Sequence, residues 1–223
     1  MLTWAVGLLL ELSVSTIISR TILENPVMLK DFIRSGCLIL AVIGWAATAA
    51  ADGEIDKIMT AADKARLASF DQVRAEAIAE AQKGGSKEDV ATLDAILAGK
   101  TLAFSEGFDF TGDWQCRTVK LGGNLPLTVY GWFKCRISDD GSGWKLDKLT
   151  GSQRTAGAFY TDSDTRLTYL GVLYYGDEKP KKYGSDPDRD QVAYVVRQDE
   201  DSVRLEFPSP KYESKLDILE LRR

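Results

Sequence analysis

In the run TGDWQCRTVKL, residues 111–121, Trp114, Cys116 and Thr118 fall on alternate positions, the spacing that lines one face of a β-strand. From Thr111 onward this period of two persists. It defines eight strand candidates at 112–121, 125–138, 143–150, 153–160, 165–175, 190–198, 202–207 and 214–221, each rich in aromatic or β-branched residues and bounded by Gly, Asp, Ser or Pro. Most links are hairpin-short, such as Asp139-Asp140-Gly141-Ser142-Gly143 and Asp199-Glu200-Asp201, and one is long, Gly176 to Asp190. Short successive links favour an antiparallel meander, and eight strands with an outer edge to hide favour a closed barrel over a sandwich.

The alternation assigns an inner face. Trp114, Cys116 and Thr118 are joined there by Val129, Gly131, Phe133, Cys135 and Ile137, then by Trp144, Leu146, Phe159, Leu167, Tyr169 and Leu173. Val192, Tyr194, Val196, Leu205, Phe207, Leu216 and Ile218 complete it. Lys134, Arg136, Lys145, Asp147, Arg166, Arg204, Glu206 and Asp217 fall on the outside. The expected register sets Cys116 opposite Cys135, Thr118 opposite Phe133 and Trp114 opposite Ile137, with facing side chains within disulfide reach. A structural disulfide is the favoured reading of this pair; two buried thiols and a redox couple are the alternatives, the second disfavoured by a spacing far wider than C-x-x-C.

Upstream, residues 52–104 read as a helical hairpin and 105–223 as the β domain. Thr60 with Asp63 forms a capping box, and Leu67, Phe70, Val73, Ala77, Ile78 and Ala81 mark one helical face. Lys83-Gly84-Gly85 suits a left-handed glycine cap. Ser86 with Asp89 opens a shorter helix carrying Val90, Leu93, Ile96 and Leu97, which Gly99 ends.

Residues 28–51 have the layout of a secretory signal peptide: Lys30 and Arg34, the apolar run CLILAVIGWAA at 37–47, then small residues. Either Ala47-Thr48-Ala49 or Ala49-Ala50-Ala51 meets the small-x-small requirement at a cleavage site. Residues 1–27 carry a second apolar run, Leu2 to Leu12, too short for the roughly 20 residues of a bilayer span, and read as an extension ahead of the true start. The expected location is periplasmic or secreted, with the membrane involved only through the export signal. Cys37 leaves with the signal, so Cys116 and Cys135 are the cysteines left in the exported chain.

Composition narrows the chemistry. The chain has no histidine, which removes Ser-His-Asp and Cys-His arrangements, imidazole metal ligands and the commonest general base. A net charge of −5 offers no basic footprint for nucleic acid. No phosphate loop or dinucleotide fingerprint is present: Gly122-Gly123 is followed by neither a helix nor Lys-Ser/Thr. No catalytic residue, metal ligand or cofactor is therefore assigned. Asp186, Asp188 and Asp190 alternate as in the start of a calcium loop, but Gln191 and Arg197 stand where glycine and a bidentate glutamate belong, so an ordinary loop is favoured. Tyr160, Tyr169, Tyr174, Tyr175, Tyr183 and Tyr194, with Lys179, Lys181 and Lys182, suggest an aromatic and basic lip, or else simply inner-face tyrosines with hydroxyl partners at the rim.

Gly112-Asp113-Trp114, at the start of the first strand, resembles the G-x-W signature of lipocalins and related calycin barrels. The resemblance implies that Trp114 sits at the closed end of an eight-stranded barrel against an arginine from the end of the last strand, a role Arg222 would fill. It also implies binding of a small apolar ligand or, in periplasmic members, inhibition of a protease. Separately, TGDWQCR at 111–117, VYGWFKCR at 129–136, LTGSQR at 149–154 and RDQVAY at 189–194 look like an uncharacterised family of small secreted bacterial proteins known only as a domain of unknown function.

The expected fold is thus mainly β with an α appendage, an eight-stranded antiparallel calycin-like barrel preceded by a helical hairpin. The expected function is non-enzymatic binding of a small apolar ligand or an envelope partner protein, with Tyr169, Tyr194 and Phe207 lining the cavity. A periplasmic protease inhibitor or chaperone-like factor is the alternative, and a carboxylate-dependent enzyme the third reading.

Overall fold

The computed structural model describes residues 52–105 and 107–223. The expected signal peptide and the extension before it lie outside the described residues. Four helices and nine strands are found among them: α1 (Asp52–Ile58), α2 (Ala61–Ala68), α3 (Phe70–Gly84), α4 (Lys87–Leu97), β1 (Gly112–Leu121), β2 (Leu127–Val129), β3 (Phe133–Asp139), β4 (Trp144–Lys148), β5 (Gln153–Ser163), β6 (Arg166–Tyr175), β7 (Asp190–Arg197), β8 (Ser202–Pro208) and β9 (Leu216–Arg222).

Consecutive strands from β3 to β9 pair antiparallel, and β1 pairs with both β3 and β9, so eight strands close into a barrel without free edges. β2 is the extra strand. It lies in tandem with β3 along one side of β1, where Val119 faces Val129 and Cys116 faces Phe133. Two residues of β1 thus oppose three, Tyr130 to Trp132, and the extra residue reverses which face the side chains take. Val129 accordingly points outward with Leu127, not inward as the alternation implied.

The β1–β3 register is shifted by two residues from the expected one: Trp114 faces Cys135 and Gly112 faces Ile137. A shift of two keeps every side chain on its face. Cys116 and Cys135 are therefore diagonal neighbours, with Cα atoms 5.8 Å apart, and form a disulfide.

Two apolar layers hold the fold. The barrel interior is filled by Trp114, Cys116, Ile137, Leu146, Phe159, Tyr169, Val195, Leu205, Leu219 and Leu221 among others. The outer layer is built by Ala77, Ala81, Leu93 and Ile96 of α3 and α4 against Val119, Leu121, Leu127, Leu216 and Ile218. This layer corrects two inner-face assignments. Ala193 and Val195, not Val192, Tyr194 and Val196, face inward on β7; Leu219 and Leu221, not Leu216 and Ile218, do so on β9. Asp217, placed outside by the alternation, follows the inward parity of Leu219.

The helices form a collar instead of a simple hairpin. The Thr60–Asp63 cap is present, with Thr60 Oγ1 accepting the Asp63 amide at 3.2 Å. The long first helix breaks at Ser69, whose hydroxyl donates back to the carbonyls of Ala65 and Arg66 and so competes with the backbone ladder. Gly85 caps α3 in an extended conformation (φ −73°), not the left-handed one expected. The long segment after β6 returns to the collar, where Tyr183 donates its hydroxyl to buried Asp63 at 2.6 Å.

Candidate functional site

The two ends of the barrel differ in kind. At one end the interior is shut by aromatic rings. Phe110 stacks edge-on against Trp114 and Trp144 and lies 5.0 Å from Phe159, and Phe104 and Phe108 pack beneath. The indole of Trp114 donates to the Phe110 carbonyl at 3.0 Å. The arginine over Trp114 is Arg223, 4.5 Å from the ring centre, where Arg222 was expected. Inward parity on β9 belongs to Leu219 and Leu221, so Arg222 turns outward to Glu220 while Arg223 folds under the end and donates to the carbonyls of Asp109, Thr111 and Glu200.

At the other end, β1, β4, β6 and β8 finish and β3, β5, β7 and β9 begin. Here the interior opens into a cavity of about 170 Å³ with both polar and apolar walls. Phe133, Leu173, Phe207 and Leu219 supply the apolar part, and Lys120, Lys148, Asp217, Gln153, Gln191 and Thr155 the polar part. Tyr169 lies at full burial below it, its ring crossing the facing pair Gly157 and Gly171. A Cβ on Gly171 would stand 2.2 Å from the Tyr169 hydroxyl oxygen, so only glycine leaves room. That hydroxyl shares a 2.7 Å hydrogen bond with Thr155, which in turn donates to Gln191 at 2.7 Å. Burial raises the Tyr169 hydroxyl far above its ordinary value, which keeps it a neutral member of this chain.

Lys148 is the unusual group. It is only 6 % exposed, yet among the described residues it forms no ion pair. Its ammonium donates to the Gln153 carbonyl at 2.9 Å and lies 4.4 Å over the Phe133 ring. Burial, helped by the nearby charge of Lys120, lowers its pKa to about 8. Across the pocket, Lys120 donates to Glu213 at 2.5 Å and stands 4.0 Å from Asp217. Burial alone would lower Lys120, but Asp217 and Glu213 outweigh it and leave this lysine raised. Asp217 accepts from Ser214 at 2.5 Å, and burial lifts it to about 6 against the pull of Lys120.

Of the residues expected to line a ligand cavity, Phe207 lines the mouth and Tyr169 lies packed beneath it. Tyr194 is outside the barrel, edge-on to Phe70 of α3 and under the Arg166 guanidinium. Tyr169 and Phe207 belong to the barrel interior and Tyr194 does not, so the three do not surround one cavity. Asp186 and Asp188 pair with Lys181 and Lys211, and Asp190 accepts the Gly184 amide through Oδ1 while its buried Oδ2 has no hydrogen-bond partner among the described residues; no group of metal-ligating side chains occurs among them. Lys181, Lys182 and Tyr183 lie over the outer wall of β5 and β6, not around the mouth.

The alternation held a signal for the mouth that went unused. Lys148 shares parity with Trp144 and Leu146, and Lys120 with Trp114 and Cys116. A charged residue on the inner parity of a barrel strand is either an error of register or a site.

A family model described as a domain of unknown function (DUF4893) matches residues 56–221. No curated protein and no solved structure matches the chain.

Proposed function

We propose that this chain, which belongs to the DUF4893 family, is an exported, non-enzymatic protein that binds a small molecule bearing an anionic group in the open mouth of its barrel. The observation that carries this reading is Lys148, a cation buried at a pocket wall without a carboxylate partner among the described residues. A buried charge is costly unless paired, and a ligand anion supplies the missing partner. Phe133, Leu173, Phe207 and Leu219 would take a short apolar portion of the same molecule. At about 170 Å³ the cavity is smaller than the roughly 300–1,000 Å³ of drug-sized sites, which points to a ligand of few atoms. Export is supported by the layout of residues 28–51 and by the Cys116–Cys135 bridge.

The test is a thermal-shift and calorimetric series with acetate, lactate, pyruvate and phosphate on the full oxidised protein. At least one should bind, and Lys148→Met should weaken it about tenfold or more, the scale of a charge-assisted hydrogen bond. Equal affinity in Lys148→Met, or no binding by the wild type, would overturn the reading.

A second reading is favoured by one observation. Leu125, Tyr130, Trp132, Leu149, Tyr175 and Tyr212 are exposed and all lie at the mouth end. Such a rim suits an envelope partner seated over the opening. Under that reading Trp132→Ser with Tyr212→Ser would abolish partner capture and leave small-anion affinity unchanged.

A further inference from the structure

The mouth holds more than a spectator anion requires. The amine of Lys148 is fixed by one carbonyl and one aromatic face, so its nitrogen is positioned, while among the described residues no carboxylate forms an ion pair with it. Lys120 and Arg154 line the same cavity, as does Asp217, 4.0 Å from Lys120 and a group able to carry a proton. Burial beside a second cation leaves part of the Lys148 population as the neutral amine near neutral pH, with a free lone pair. Resting on the anion-binding reading above, we propose that Lys148 captures small 2-oxo acids as a reversible Schiff base, with Lys120 and Arg154 holding the carboxylate.

The step balances without a further reagent. The Lys148 nitrogen lone pair forms a bond to the carbonyl carbon, and the carbonyl oxygen takes a proton to give a carbinolamine. The C–O bond then breaks with a second proton, and water leaves. The ammonium form of Lys148 plus the oxo acid thus yields a protonated imine plus water, with Asp217 placed to pass the protons. No electron is transferred, and hydrolysis reverses the sequence. The polar wall of Thr155, Gln191 and Gln153 offers hydrogen-bonding groups to the departing oxygen.

Pyruvate with sodium borohydride, applied to the full oxidised protein, reads the imine directly, because reduction fixes it as a stable secondary amine. Intact mass should show one reduced pyruvyl group, and peptide mapping should place it on Lys148. Lactate, which keeps the carboxylate but has no carbonyl, should bind by calorimetry and suppress the adduct about tenfold when it fills the site. Lys148→Arg, which cannot form an imine, should lose the adduct, and the lactate competition decides the matter in the wild type should that variant misfold. Lactate binding without an adduct on Lys148 overturns the Schiff base and leaves the anion site standing. Failure of both ligands to bind overturns both. Adducts spread over surface lysines and undiminished by lactate also overturn the inference.

Discussion

The two ends of the barrel use the same strands and the same alternation for opposite purposes. The closed end puts aromatic rings on inward positions, and its polar groups are paired: the Trp114 indole donates to the Phe110 carbonyl, and the Arg223 guanidinium beneath it donates to backbone carbonyls. The open end puts Lys120, Lys148 and Asp217 on inward positions, and among the described residues Lys148 forms no ion pair. Burying rings lowers the free energy of the fold; burying these charges raises it. The closed end is thus where stability is made, and the open end is where some of it is given up, a cost that the proposed binding would offset.

The largest effect should come from the closed end. Trp114→Ala or Phe110→Ala removes a buried ring from an interlocked set and should cost about 3–5 kcal/mol in chemical unfolding, the usual range for such truncations. A loss near that of a surface site would break the contrast between the ends. Next comes the disulfide. Removing it with Cys116→Ser and Cys135→Ser should cost about 3 kcal/mol through the loop it closes, read as a lower denaturant midpoint.

The open end should behave with the opposite sign. Lys148→Met should raise stability by about 1 kcal/mol near pH 7, because an apolar stem replaces a buried unpaired charge. The pH dependence follows from the direction of each shift. Lys148 in the fold, at about 8, lies below its ordinary 10.5, so its penalty is fully present below pH 8 and is relieved as the pH rises toward 10.5. The advantage of Lys148→Met should shrink over that window. Asp217, raised to about 6 from 3.8, is penalised above pH 6 and not below 3.8, so Asp217→Asn should gain on the wild type only as pH rises through that interval.

The smallest effect sharpens the description of the closed end. Arg223→Ala should cost about 1 kcal/mol, losing a cation–π contact and several carbonyl bonds. Arg222→Ala should cost less than about 0.5 kcal/mol, because Arg222 is half exposed and Glu220 keeps Arg117 as its partner. Reversal of that order would restore Arg222 as the closing residue.

Where a strand has one polar face, its sequence is enough. β3, β4 and the first half of β1 alternate cleanly, and Trp114, Cys116, Cys135, Ile137 and Leu146 stand inside as the alternation implies. β7 and β9 are apolar on both faces because the collar covers their outer side, so Val192 and Ala193, or Ile218 and Leu219, do not reveal which one points inward. Arg222 and Tyr194 were misplaced for that reason. The extra residue at Tyr130–Trp132 leaves no trace in a count of periods, and it turned Val129 over. The mouth was missed differently: its lysines sat on inward parity, but charge was read as surface.

The most direct test of the account is the proton balance of anion binding. Lys148 faces Lys120 on β1, Asp217 on β9 and Arg154 on β5, so an added anion favours its protonated form. Calorimetry with lactate at about pH 8.5, in buffers of different ionisation enthalpy, should show proton uptake on binding, and affinity should fall about tenfold per pH unit well above the Lys148 value of about 8. An affinity that is flat from pH 7 to pH 10 with no proton uptake, or binding that survives unchanged in Lys148→Met, would contradict a mouth built around that amine.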